Sequence, residues 1–166
     1  MKTSGLLDLT IACGVLSLCL ASAYGASAYE RLQPLQEGDV HYMSGGVGQD
    51  EIQAMRNAAK PYNLKMEFNA ANGEYMAGVK VILRDGKGNI VLKTASDGPC
   101  LFVAVPSGMY KVDAEALDKT VIKSATITDK HGANLQFFWA LPKDMIEPDT
   151  QERAEEHASA GAHGCF

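Results

Sequence analysis

The stretch SDGPCLFVAVPSGMYKV, residues 96–112, decides how the chain is read. Two turn signals, Asp97-Gly98-Pro99 and Pro106-Ser107-Gly108, bracket the apolar run from Cys100 to Val105. After the second turn, Tyr110, Val112, Ala114 and Ala116 alternate with Lys111, Asp113 and Glu115. Gly, Pro, Asp and Ser punctuate a chain because they fix or free φ, or bond their own backbone. A short apolar run between turns reads as a strand, and a strict period of two reads as a strand with one face buried. The residues suit architecture. Pro106 fixes φ where the chain leaves a strand, and Gly108 offers a positive φ. Tyr110 can bury its ring and send its hydroxyl to a backbone acceptor at the corner. Asp97, Gly98, Pro106, Gly108 and Tyr110 are therefore expected to be structural.

The same period recurs outward. Leu64, Met66 and Phe68 alternate with Lys65 and Glu67; beyond Asn72-Gly73, Val79, Val81 and Leu83 alternate with Lys80 and Arg84. Residues 85–89 (DGKGN) form a turn tolerant of positive φ, and residues 90–94 follow as a strand. Residues 120–128 are rich in β-branched side chains, 129–132 turn, and Leu135, Phe137 and Trp139 end the pattern. Seven short strands with turns about 8–12 residues apart predict an antiparallel sandwich over residues 62–141. No helices alternate with the strands, which disfavours a parallel α/β sheet. Residues 49–61 predict one short helix packed on the sandwich. Ile52, Met55 and Ala59 share a face, Asp50 and Glu51 open it, Arg56 and Lys60 lie toward its end, and Pro61 stops it. Residues 29–48 read as an irregular, extended lead-in. Residues 142–166 read as a polar tail, partly helical or disordered, and mobile over 158–166.

Asp97-Gly98, Val105-Pro106-Ser107-Gly108 and Tyr110 resemble the signature of carboxypeptidase regulatory-like domains, which are transthyretin-like (prealbumin-like) β-sandwiches. The segment 79–85 with Gly86-Lys87-Gly88-Asn89 resembles the early strand and turn of the same family. The likeness covers residues 64–139. Residues 42–63 also look like the lead-in of small exported bacterial proteins that carry this domain, most of them without a known role. The resemblance implies the fold and says almost nothing about activity. In one respect the chain departs from it: Cys100 stands where the family has an aromatic. Cys100, Phe102 and Ala104 fall on one face, read as the core face.

The first 28 residues read as a signal peptide. Lys2 supplies a basic end, and residues 9–21 (LTIACGVLSLCLA) form an apolar run too short for a membrane span. Ala26-Ser27-Ala28 fits an A-x-A cleavage site, with Ala23 as a rival and an uncleaved anchor as the alternative. Cleavage removes Lys2 and Asp8, so the formal net charge of −5 is unchanged. It also removes Cys13 and Cys19 and leaves Cys100 and Cys165. Parity in an exported protein favours pairing them, whereas burial of Cys100 as a small inert hydrophobe opposes it. A free Cys165 would be open to pairing between two chains.

The 15 Lys and Arg are scattered along the sequence, which argues against a nucleic-acid partner. GGVGQDE, residues 45–51, lacks the spacing of a phosphate loop, and Asp50 and Glu51 would repel an anion. Ser107 has no identifiable His and acid partners, and no His pair shows HExxH or HxH spacing. The C-terminus lacks the Tyr-Arg-Gly-Ser set that transthyretin-like hydrolases of purine catabolism carry. The strongest metal candidate is His157, His163 and Cys165 in the tail, donors that suit Zn or Cu. The expectation is therefore a periplasmic or secreted binding module with no catalytic set and no cofactor. It would hold an envelope protein or an extracellular polymer through an edge strand or the loops 70–75 and 129–134. A periplasmic metal-handling protein using the tail is the alternative, and a hydrolase ranks third.

Overall fold

The computed structural model describes residues 32–142 and 164–166. The signal segment 1–28 and most of the tail, with His157 and His163, lie outside these residues. The described chain is mainly β. Two sheets stack into a sandwich, with one short helix on an outer face. The first sheet has the order β1-β2-β6-β3-β9 and the second β5-β4-β7-β8. The strands are β1 (Leu35–Glu37), β2 (Val40–Gly45), β3 (Leu64–Ala70), β4 (Lys80–Asp85), β5 (Ile90–Ala95), β6 (Cys100–Ala104), β7 (Gly108–Ala116), β8 (Lys119–Ile127) and β9 (Ala133–Trp139). The helix α1 covers Gln49–Ala58.

Seven of the strands fall on the segments expected to be strands. The other two, β1 and β2, lie in the stretch read as an irregular lead-in, which is instead an antiparallel hairpin joined to the first sheet through β6. The pairings are antiparallel except for β3 with β9, which run parallel from Leu64↔Ala133 to Ala70↔Trp139. This corrects the all-antiparallel expectation. The chain crosses from β8 in the second sheet to β9 in the first, so β9 enters beside the start of β3.

The main core lies between the sheets. Leu64, Met66 and Phe68 of β3 meet Val81 and Leu83 of β4 and Val112 of β7, all fully buried. Phe137 stacks on Trp139 at 6.1 Å between centroids, and Phe68 lies 5.6 Å from Phe137. The inward residues of β6 are Leu101 and Val103. Cys100 and Phe102 point the other way, into a second, smaller core beneath α1 with Met43, Ile52, Met55 and Tyr62. The face read as the sandwich core is thus the helix-covered outer face. β6 is buried on both sides, and for that reason its apolar run does not alternate. Burying Ile52 and Met55 contributes about 1.5–3 kcal/mol each. Glu51 secures the helix start by accepting the N–H groups of Gly46 and Val47.

Cys100 and Cys165 form a disulfide across a separation of 65 residues. Both are fully buried. The end of the tail is therefore docked, not free, and burial and pairing hold together because residues 164–166 enter the second core. Glu67, 5% exposed, accepts the N–H of Cys165 at 2.9 Å on one carboxylate oxygen and the Asn69 amide at 3.1 Å on the other. The Arg56 guanidinium donates to the carbonyl of Gly164.

Candidate functional site

The motif residues sit at the corners of the sandwich. Asp97 donates its N–H to Ser44 Oγ at 2.8 Å. At Gly98 a Cβ would lie 2.3 Å from the carbonyl oxygen of Gly45, so the β5–β6 turn needs glycine to close on β2. Gly108 does not take the positive φ expected of it. It heads β7, where a Cβ would lie 3.6 Å from the Tyr110 ring. Tyr110 is 7% exposed and its hydroxyl donates to the carbonyl of Pro106 at 2.9 Å. Burial, and then the charge of Asp85, raises its pKa and keeps that donor protonated.

The proposed metal set changes in one member. The Cys165 sulfur is bonded to Cys100, so it is no thiolate ligand. His157 and His163 lie outside the described residues. Among the described residues no group of three or more His, Cys, Asp and Glu could hold a metal ion.

A polar concavity of about 780 Å³ opens at the end of the sandwich where β3 and β9 begin. Three loops build it: 59–63 between α1 and β3, 105–107 between β6 and β7, and 128–132 between β8 and β9. Asn63 laces them together. Its N–H donates to the carbonyl of Val103 at 3.2 Å, and its side-chain amide donates to the carbonyl of Val105 at 2.7 Å. It also accepts the Val105 N–H at 3.0 Å on its side-chain oxygen and the Ala133 N–H at 2.8 Å on its carbonyl. A Cβ on Gly132 would lie 2.3 Å from that carbonyl oxygen, so only glycine lets the third loop approach. The third loop closes on itself, with Thr128 N–H donating to the His131 carbonyl at 2.9 Å and His131 N–H to Thr128 Oγ1 at 3.1 Å. The backbone of the cleft is pre-organised, while Lys60, Lys130 and His131 are exposed on its rim.

The structure gives Ser107 an acid partner that spacing did not reveal: its hydroxyl donates to Asp129 Oδ1. Direct serine–carboxylate contact is not the hydroxyl–imidazole–carboxylate order that activates a serine. The loop 129–134 lines the cleft. The loop 70–75, named with it as a contact surface, follows the opposite end of β3, so one compact contact does not use both.

A second concavity of about 870 Å³ lies on the outer face of the second sheet, over Ile82 and Ile122. Its charges are largely satisfied within the sheet. Lys80 pairs with Glu115 at 2.9 Å, Arg84 with Asp113 at 3.4 Å and Lys111 with Asp113 at 3.5 Å. The end cleft differs. Among the described residues neither Lys60 nor Lys130 has an ion-pair partner, and Lys65 lies over the Phe102 ring at 5.6 Å.

Fold and cleft together define a disulfide-stapled β-sandwich with a helix-covered outer face and a polar site built from loops. No family model matches the chain, and no curated protein matches it. Among solved structures it is similar to BcpA, the major pilin subunit of Bacillus cereus, at 14% identity and a TM-score of 0.37. The match covers 46% of this chain, which spans 27% of the pilin's length. A likeness of that size assigns no family and no role.

Proposed function

We propose that this chain is an exported, non-enzymatic module of carboxypeptidase regulatory-like type that holds an envelope protein or an extracellular polymer in its end cleft. The observation that carries this reading is the cleft. Three loops are fixed by Asn63 and Gly132, and they present exposed polar and cationic side chains on a rigid base. Binding residues concentrate on loops held by a scaffold, and pre-organisation lowers the ordering cost of association. The buried Cys100–Cys165 bond supports export, because such bonds persist in oxidising compartments. The apolar run 9–21 with its A-x-A site supports it independently. The Ser107–Asp129 contact supports a binding role over hydrolysis, since it leaves the hydroxyl unactivated.

The test has two arms. Cell fractionation should find the protein outside the cytoplasm with residues 1–28 removed and no free thiol. Isolated envelope material should retain it, and retention should fall when Lys130 and Asn134 are both replaced by Ala. A reduced, cytoplasmic protein, or retention indifferent to the cleft substitutions, overturns the proposal.

A further inference from the structure

We infer that the end cleft takes a carboxylate-bearing polysaccharide, a chain of the uronic-acid class. The inference rests on the cleft being the binding site. The protein has a formal net charge of −5, yet Lys60, Lys65, Lys130 and His131 all line this one cleft. The one carboxylate among the described lining residues, Asp129, is engaged by the Ser107 hydroxyl. Two loops, 59–63 and 128–132, and the start of β3 deliver these side chains, so their meeting is a property of the fold. Lys60 and Lys130, exposed and without an ion-pair partner among the described residues, form a local positive field that draws anions.

The choice among anions follows from what accompanies the lysines. Among the described lining residues there is no Arg, the side chain suited to bidentate phosphate contact. Tyr62, the one Phe, Tyr or Trp among them, is 7% exposed, so no ring is offered for a base to stack on. This removes the main means of gripping single-stranded nucleic acid. An acidic peptide gains most of its affinity from side-chain anchors in apolar pockets, and this lining is mainly polar, with its apolar members Tyr62 and Val105 buried. What remains is neutral hydrogen-bonding groups, Thr128 and Asn134, set between ammonium groups. That arrangement suits a chain carrying hydroxyls and regularly spaced carboxylates. The volume, about 780 Å³, lies within the range of about 300–1,000 Å³ common for ligand clefts.

The test is titration calorimetry of the purified protein with polygalacturonate, neutral dextran, polyglutamate and single-stranded DNA. Polygalacturonate should bind, and its affinity should fall as salt rises. Dextran should not bind, and the other two polyanions should bind more weakly. The Lys60→Ala/Lys130→Ala variant should lose about tenfold in affinity at low ionic strength. Lys93→Ala, on the outer face of the second sheet, should lose nothing. Both lysines are exposed, so thermal unfolding of the double variant should match that of the parent. Equal or tighter binding of polyglutamate or DNA overturns the polysaccharide assignment. So does absence of polygalacturonate binding while envelope retention still depends on Lys130 and Asn134; the cleft reading then survives. If no ligand and no envelope material responds to the cleft substitutions, both proposals fall.

Discussion

Replacing Cys165 with alanine should cost about 4 kcal/mol of stability. The figure follows from chain entropy. The bond joins residues 65 apart, and loop closure removes roughly 2.1 + 1.5R ln n cal/mol/K from the unfolded ensemble, which at n = 65 is about 4 kcal/mol at room temperature. A second term comes from the site itself. Without the bond, residues 164–166 keep only non-covalent contacts, among them the hydrogen bonds to Glu67 and Arg56, and their release leaves the buried Glu67 carboxylate short of one N–H donor. An orphaned buried acceptor costs about 1–3 kcal/mol, so the loss should not fall below the entropy figure. Urea unfolding of the parent, Cys165→Ala, Cys100→Ala and the double variant measures it. The variants should shift alike, since each removes the same cross-link, and the parent with its bond reduced should join them. Thiol titration of the unfolded, unreduced mature protein should find none. An unchanged midpoint for Cys165→Ala, or two titratable thiols, would refute the reasoning.

Asn63→Ala should destabilise by about 1–3 kcal/mol, because it strips two hydrogen bonds from the backbone of the buried Val105; denaturant unfolding checks it, and cleft binding should fall in parallel. Tyr110→Phe should cost about 0.5–1.5 kcal/mol by deleting the corner bond to Pro106, with the fold kept. Burial raises the pKa of Tyr62, Tyr75 and Tyr110 above the ordinary 10.0, so the folded state holds these protons more tightly than the unfolded chain. Their contribution to stability is therefore complete below pH 10.0 and is lost as pH rises through the folded values, which phenolate absorbance and circular dichroism followed together will show. Asp118→Gly should stabilise by about 0.5 kcal/mol, because Asp118 sits at a φ of 55° in the β7–β8 turn; thermal melts measure it.

What the sequence disclosed follows from how each segment is buried. Strands with one wet face, such as β7, show the period of two and were legible. β2 was not, because Met43 enters the second core while Tyr42 leans on the first, so its apolar residues do not alternate. The same double burial disguised Cys100: its face was read as the sandwich core because nothing local tells one apolar face from the other. The disulfide depends on where residues 164–166 dock, 65 residues away. The cleft was hidden by its own construction. Lys130 is far from Lys60 and Lys65 in the chain, so the three read as scattered charge until the fold brings them together. Asn63 stands outside the alternating pattern, although a polar residue just before a strand, close to Pro61, is a loop-anchoring signal.

The exposed edges of the sandwich narrow where a partner attaches. An edge strand invites another strand unless something blocks it. β1 is three residues long, too short to template much pairing. β8 carries Lys123 on its inward face, 5.6 Å from the Phe137 ring, and an inward charge on an edge opposes strand addition. Trp139, at the end of β9, uses its indole N–H to occupy the Lys119 carbonyl of β8 at 3.0 Å, which ties these two edges together. On the other side, the Lys93 N–H of β5 donates to Glu37 at 3.3 Å, and β5 meets β4 through a register shift at Leu83/Arg84. β1, β5 and β8 thus each carry a feature that opposes strand addition. The loop-built end, with fixed backbone and unpaired lysines, carries none, and that asymmetry favours attachment through the cleft over attachment along a strand.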